Sequence, residues 1–320
     1  MSACPAVSCK VYTPRPLAAA LVHAVGDNSN AQWLDPCVGE GVFISVLAEF
    51  GVPPDRITAL NLEINPGCED TSVKTSRGVD FLQWALATEQ KFDRIVANPP
   101  FLGLSKLDSE LRQSALATTS PLGSSVVLSA NYWLAFLSAS LNLLRSDGCL
   151  GFVLPASWDF ADYAASIRDE ILKSFGRVEI YRCKRPLFDS VQEGAVILVA
   201  LGFGRSNTHV QRLEFESPEN LTNALTNRST VRVSREEKSA EKVNTMPRSG
   251  FFRLGDIIEI KLGGVTGAAT AFLLTEEQRK EYRLPVRSLR PVLSKARHLI
   301  ASETTLREWE FLRVNGHRIW

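Results

Sequence analysis

Phe92-Asp93-Arg94-Ile95-Val96-Ala97-Asn98-Pro99-Pro100-Phe101 is the stretch that decides the fold. Its first six residues form a largely apolar run of strand length, broken by a polar residue and two prolines. Two prolines fix φ and remove two backbone donors, so the strand ends in a stiff turn. That turn offers an amide side chain and carbonyl oxygens but few N–H groups. Such a set suits a planar amino group, because the Asn98 oxygen and a Pro carbonyl can each accept one of its two hydrogens. Accepting both draws the nitrogen lone pair out of conjugation and makes a poor nucleophile better. Phe101 adds a face on which a flat ring can stack. The plain alternative is a Pro-Pro turn with an incidental aromatic.

Upstream, the pattern alternates. Ala31–Asp35 reads as a strand, followed by Pro36-Cys37-Val38-Gly39-Glu40-Gly41 and an apolar helix from Val42 to Phe50. A strand, a glycine-bearing turn and a helix make a nucleotide-type binding unit. Ile44 stands where a third dinucleotide glycine would be, and Asp35 would repel a pyrophosphate there. A ligand carrying an amine and a sulfonium cation would be welcome beside it; an ordinary βα turn is the alternative. Ile57–Glu63 reads as a second strand ending in an acid, and a carboxylate there can accept both hydroxyls of a ribose. Its spacing from the Asp35 turn is roughly 20 residues or a little more, as that pairing requires. Val73–Val79 reads as a weaker strand ending at Asp80-Phe81. Asp80 could cap the helix Phe81–Ala87, or take the exocyclic amine of a purine that Phe81 covers. Ahead of all these, Thr13 can cap a helix whose first turn holds the prolines.

Downstream, Leu102–Val127 reads as a long polar connection, the kind that often forms a lid or a binding loop. Ser129–Leu144 reads as a helix, Gly148–Pro155 as a buried strand and Asp159–Phe175 as a helix. Two further strands follow at Arg177–Arg182 and Ala195–Leu201. Between those last strands lies a basic turn, Lys184-Arg185-Pro186-Leu187-Phe188. Phe188 is either buried in a hairpin or set over the Asn98 turn against another part of a bound ring. Up to Asn98 the strands and helices alternate, which predicts a parallel sheet with helices on both faces; the fold is expected to be complete by about Leu201. From Gly204 to about Gly250 the composition reads as a linker. A smaller glycine-rich unit follows from Phe251. Its stretch from Arg279 to His298 carries seven Lys/Arg against one Glu, either a solvated face or a phosphate-binding one.

The 320 residues suit one large or two ordinary domains. A hydrophobic share of 45% and a charged share of 22% are ordinary for a chain that buries a sizeable core. The formal net charge of +1 means that any polyanionic partner must be held by local clusters. Six scattered cysteines without a CxxC pair, and four distant histidines, spell out no metal site and suit reduced thiols in a cytoplasm. No signal-like start and no apolar run of membrane length is present.

With these residues in place, the chain resembles the S-adenosylmethionine-dependent N6-adenine DNA methyltransferases of restriction–modification systems, in particular the TaqI-like group. Tyr12-Thr13-Pro14 is similar to the N-terminal cofactor motif of that group, and Asp35 to Gly41 to its methionine-binding loop, with Cys37, Gly39 and Gly41 as contacts. Glu63 matches the ribose-binding acid and Asp80-Phe81 the adenine contacts. Asn98-Pro99-Pro100-Phe101 matches the catalytic motif. Asn131 to Phe136 and Leu154 to Trp158 also recur in the group. Phe188 falls where the family places a second aromatic against the flipped base. The glycine-rich stretch from Lys261 to Thr275 is similar to the opening of family recognition domains.

The resemblance implies a Rossmann-like methyltransferase domain over residues 1–245 and a partial or reduced target-recognition domain over 246–320. Its cofactor would be S-adenosylmethionine and its partner double-stranded DNA. Lys184, Arg185, Arg287, Arg290, Lys295 and Arg297 would contact the DNA. Only about 70 residues follow Phe251, fewer than family recognition domains use. The chain is therefore expected to be a fragment, to have a reduced domain, or to need a separate specificity element or work with a cognate restriction endonuclease. Two other readings stand beside this one: a methyltransferase acting on a protein glutamine or an RNA base, and a non-catalytic specificity or cofactor-sensing subunit.

Overall fold

The computed structural model describes residues 12–26, 29–63, 73–188, 194–205, 208–227, 273–292, 305–317 and 319–320. The chain divides into two compact units, Met1–Ser239 and Ala240–Trp320.

The first unit is built on an eight-stranded sheet. Its strands are β1 (Trp33–Asp35), β2 (Ile57–Asn61), β3 (Thr75–Arg77), β4 (Phe92–Ala97), β5 (Leu144–Pro155), β6 (Phe175–Cys183), β7 (Ala195–Phe203) and β8 (His209–Phe215). The order is β3-β2-β1-β4-β5-β7-β6-β8. The first five are mutually parallel. β7 runs against both neighbours, and β8 is parallel to β6. From β1 the chain builds outward to β3, then returns to place β4 on the other side of β1. Strand order therefore reverses between β1 and β4, and ligands of open α/β sheets bind outside the carboxyl ends at such a switch.

The central strands are apolar on both faces, as a sheet covered on both sides requires. In β4, Ile95 and Ala97 join one core layer and Val96 the other; β5 and β7 alternate in the same way. One layer is closed by α3 (Phe81–Ala87), α4 (Ser109–Leu116), α5 (Tyr132–Leu143) and α6 (Ala165–Ser174). The other is closed by α1 (Arg15–Val25), α2 (Val42–Glu49) and α7 (Pro218–Thr226). α5 is buried on nearly its whole circumference, which fits its almost uniformly apolar sequence. α1 lies so close to β5 that a Cβ on Gly151 would meet Leu21 and Val25 at 2.8–2.9 Å.

Three expectations are corrected. The segment 102–127 is not a long lid. It contains a 3-10 turn, Leu104–Lys106, and α4, whose first turn is capped by Asp108 accepting from the Leu111 N–H at 2.9 Å. Its end is pinned by the buried Glu170, which accepts from the Leu122 N–H at 2.9 Å, the Ser124 hydroxyl at 2.9 Å and the Ser120 hydroxyl. The expected helix over 159–175 is two 3-10 turns and then α6. The fold also does not end near Leu201, because β8 and α7 complete it and α7 buries Leu221 and Leu225 against the α1 layer.

In the second unit, α8 (Glu276–Glu281) and α9 (Leu306–Val314) are described, each opened by a reciprocal Thr capping box. Leu274, Leu312, Ile319 and Trp320 form its small core. The Trp320 indole donates to Glu276 at 2.8 Å. Among the described residues, no helix is long and apolar enough to cross a membrane.

Candidate active site

β1 and β4 deliver their last residues to the switch point side by side. Asp35 ends β1 and is fully buried. One of its oxygens accepts from the Cys37 N–H at 3.1 Å, and the other is buried with no hydrogen-bond partner among the described residues. Burial raises the Asp35 carboxyl from the ordinary 3.8 to about 7, only partly offset by the Cys37 N–H. A buried carboxylate with an unpartnered oxygen fits a cationic ligand, and a glycine turn lies beside it. Gly39 and Gly41 hold φ of 55° and 84°, where other residues are strained.

The raised Asp35 carries a stability signature. Unfolded Asp35 loses its proton near pH 3.8 and folded Asp35 near pH 7. Between those values the folded state holds more protons, so the ligand-free protein loses stability as pH rises through that window and levels off above it. Asp35→Asn is expected to remove this part of the slope. Urea unfolding of both proteins at pH 5 and pH 8 measures it. An equal change in both proteins would show that Asp35 is not the titrating group.

The Asn98 turn sits beside this loop. The Asn98 backbone N–H lies against the Cys37 thiol, which burial and Asp35 push well above its ordinary value and this N–H lowers. The Asn98 side-chain amide donates to the Thr13 hydroxyl at 3.0 Å. Thr13 is buried and does not cap α1; Pro14 occupies that position, without a side-chain cap. Pro16 in the first turn has no N–H to satisfy, and the Thr13 hydroxyl accepts from Asn98 instead. Phe101 is half-buried and packs against both core layers, which places it at the rim of the sheet.

Glu63 lies two residues beyond β2, half-buried. Asp80 does cap α3, accepting from the Leu82 N–H at 3.0 Å with one oxygen. Its second oxygen is buried and has no hydrogen-bond partner among the described residues. The expected capping is therefore present, and one acceptor is left over. Phe81 is 2% exposed and packs on Phe136 at 5.0 Å, so its ring belongs mainly to the core. Phe188, 7% exposed, is buried in the layer that Phe101 also borders. The hairpin reading of its turn is the closer one.

Among the expected DNA contacts, Lys184 is exposed and ion-paired to Glu216, and Arg185 is exposed. Arg287 and Arg290 are exposed in the second unit, whereas Lys295 and Arg297 lie outside the described residues. Arg279, from the same basic run, is tied to Glu276 at 2.7 Å and is not free to meet a phosphate.

One residue escaped the sequence reading. Asn61, the last of β2, is buried and donates to the Gly39 carbonyl at 3.3 Å while accepting from the Glu63 N–H at 3.0 Å. Asparagine is depleted in strands, but the burial of Asn61 and its bond to Gly39 show only in the fold.

Comparison with known proteins finds matches among restriction–modification methyltransferases. Residues 54–188 match the family model "Eco57I restriction-modification methylase" and residues 231–320 match "Type II methyltransferase M.Eco57I, C-terminal domain". The chain is 31% identical over 164 residues to the Type II methyltransferase M.VspI of Vibrio sp. (strain 343), covering 48% of this chain and 38% of that protein. It is 23% identical over 325 residues to the Type II methyltransferase M.HindII of Haemophilus influenzae, covering 91% of this chain and 59% of the relative. The chain thus spans less than two thirds of the length of these curated relatives. Among solved structures, a DrdV–DNA complex matches the fold with a TM-score of 0.53 at 15% identity, over 68% of this chain and 29% of that one.

Proposed function

We propose that this chain, which belongs to the restriction–modification DNA methyltransferases, moves a methyl group from S-adenosylmethionine to N6 of an adenine flipped out of duplex DNA. The observation that carries this reading is the meeting of two sites at one switch point. The buried carboxylate of Asp35 ends at the same sheet rim as the Asn98 turn, and Cys37 touches both, its N–H on Asp35 and its thiol against the Asn98 N–H.

S-adenosylmethionine, the cofactor of the family, supplies a sulfonium-bound methyl group when bound. Asp35, the Gly39–Gly41 turn and Glu63 would hold it, with the spare Asp80 oxygen meeting its adenine amine. The remaining work belongs to the chain's own groups. Asn98 and the Pro99 carbonyl accept the two hydrogens of the target amine and fix its lone pair in direction. Phe101 stacks the flipped ring, and unstacking that base from DNA costs a few kcal/mol. Pro99 and Pro100 keep the acceptors from drifting, so the contribution is mainly one of orientation. Arg185, Arg287 and Arg290 supply phosphate contacts, which position DNA without reading it.

The test is direct. Labelled cofactor and duplex DNA are incubated with the protein, and the DNA is digested to nucleosides and separated. Label in N6-methyladenine is expected. Label in cytosine, or transfer only to RNA or protein offered in parallel, overturns the reading. Glu63→Ala is expected to lose about 1.5–3 kcal/mol of cofactor affinity, the range for a hydrogen bond to a charged acceptor. Calorimetry reads this loss, and unchanged affinity removes Glu63 from the site.

A further inference from the structure

We propose that Asn61 is a positioning residue that sets the glycine turn, Glu63 and the Asp80 segment in one frame for cofactor binding; this rests on the cofactor reading above. A buried amide must be satisfied, and this one joins a turn 22 residues away to the N–H two residues further along the chain. Its Nδ2 donates to the Gly39 carbonyl at 3.3 Å, and its Oδ1 accepts from the Glu63 N–H at 3.0 Å. A carbonyl only accepts and a backbone N–H only donates, so the two partners fix the orientation of the amide. The backbone carbonyl of Asn61 accepts from the Val79 N–H at 3.1 Å, one residue before Asp80. The neighbouring Leu60 carbonyl accepts from the Val38 N–H at 3.0 Å, which ties down the other side of the glycine turn.

Each segment needs that support. The glycine turn holds two left-handed residues and would otherwise move between conformations. Glu63 lies beyond the last ladder pair of β2, which is Asn61 with Arg77, so the bond to Asn61 sets the direction in which the chain leaves the strand. Holding both in advance reduces the ordering cost of binding. Asn61 need not touch the ligand to act in this way.

The experiment uses the full chain, with S-adenosylmethionine and adenosine as separate probes in calorimetry, at a temperature where circular dichroism shows each variant folded. Asn61→Leu, close in volume but without hydrogen bonds, is expected to weaken S-adenosylmethionine binding about tenfold or more. Asn61→Asp keeps the acceptor for Glu63 and sets a carboxylate against the Gly39 carbonyl. It is expected to weaken S-adenosylmethionine binding while adenosine affinity stays within about twofold, because the ribose side remains placed. In a Glu63→Ala background, Asn61→Leu should cost less than in the wild type, since part of its effect passes through Glu63. A purely structural role would instead lower the melting temperature, leave both affinities unchanged and show no coupling, and that result overturns the proposal. Should Asn61→Leu fail to fold, wild-type S-adenosylmethionine affinity in Asn61→Asp overturns it equally. Every arm reads binding, so a wild type that binds S-adenosylmethionine but methylates no adenine defeats the proposed function and leaves this inference standing.

Discussion

Asn98→Ala is expected to reduce methyl transfer by at least about a hundredfold to a thousandfold, the range for removing one aligned polar group from a reacting centre. Affinity for S-adenosylmethionine should stay within about threefold, because the amide acts on the target amine and its other bond goes to Thr13. Phe101→Ala should behave differently. It loses a stacking face worth about 1–3 kcal/mol, so the flipped base is captured less often while the acceptors remain. Single-turnover rates, calorimetry and the fluorescence of 2-aminopurine at the target position separate the two variants. Full transfer by Asn98→Ala would dismiss the turn as the reacting centre. Equal 2-aminopurine fluorescence with the wild type and with Phe101→Ala would dismiss the stacking role.

Leu221→Ala should destabilise the first unit by about 2–5 kcal/mol, the range for emptying a buried leucine site. Leu221 is fully buried on α7, in the layer that α1 and α2 close. Domains commonly have only about 5–15 kcal/mol to lose, so a chain cut after Phe203, lacking the whole of β8 and α7, should not stay folded. Urea unfolding followed by circular dichroism measures the point variant. A shift below about 0.5 kcal/mol would mean that α7 is an appendage and that the fold does end with β7.

The sequence displayed the centre of this fold better than its margins. β4 and α3 occupy the residues that their patterns mark, Phe92–Ala97 and Phe81–Ala87, because a buried strand and a capped helix each carry a local signal. α4 was hidden by a polar composition and by the Ser/Thr stretch around it. β8 was hidden because it is an edge strand with half-exposed residues on both faces, and such strands lack a continuous apolar run. In the site, Asn98, Phe101 and Asp35 could be read from their neighbours in the chain. Asn61 could not be singled out, since its side-chain bond to Gly39 spans 22 residues. Nor could the service of Thr13 to Asn98, which spans 85 residues. A cap and a distant hydrogen bond draw on the same hydroxyl, and only packing decides between them.

The reversed course of β7 sorts the connections of the sheet onto two rims. The β4–α4 turn, the β5–α6 turns and the β6–β7 turn with Lys184 and Arg185 all leave from the carboxyl rim where Asp35 ends. The β7–β8 connection and the irregular first part of β5, with Asp147, fall on the opposite rim, joined there by the Arg205–Asp147 ion pair. Chemistry and architecture are thereby housed apart. A lineage can lengthen or graft segments on the far rim without disturbing the residues that would meet cofactor and base, while changes to the near rim can retune the target without rebuilding the sheet.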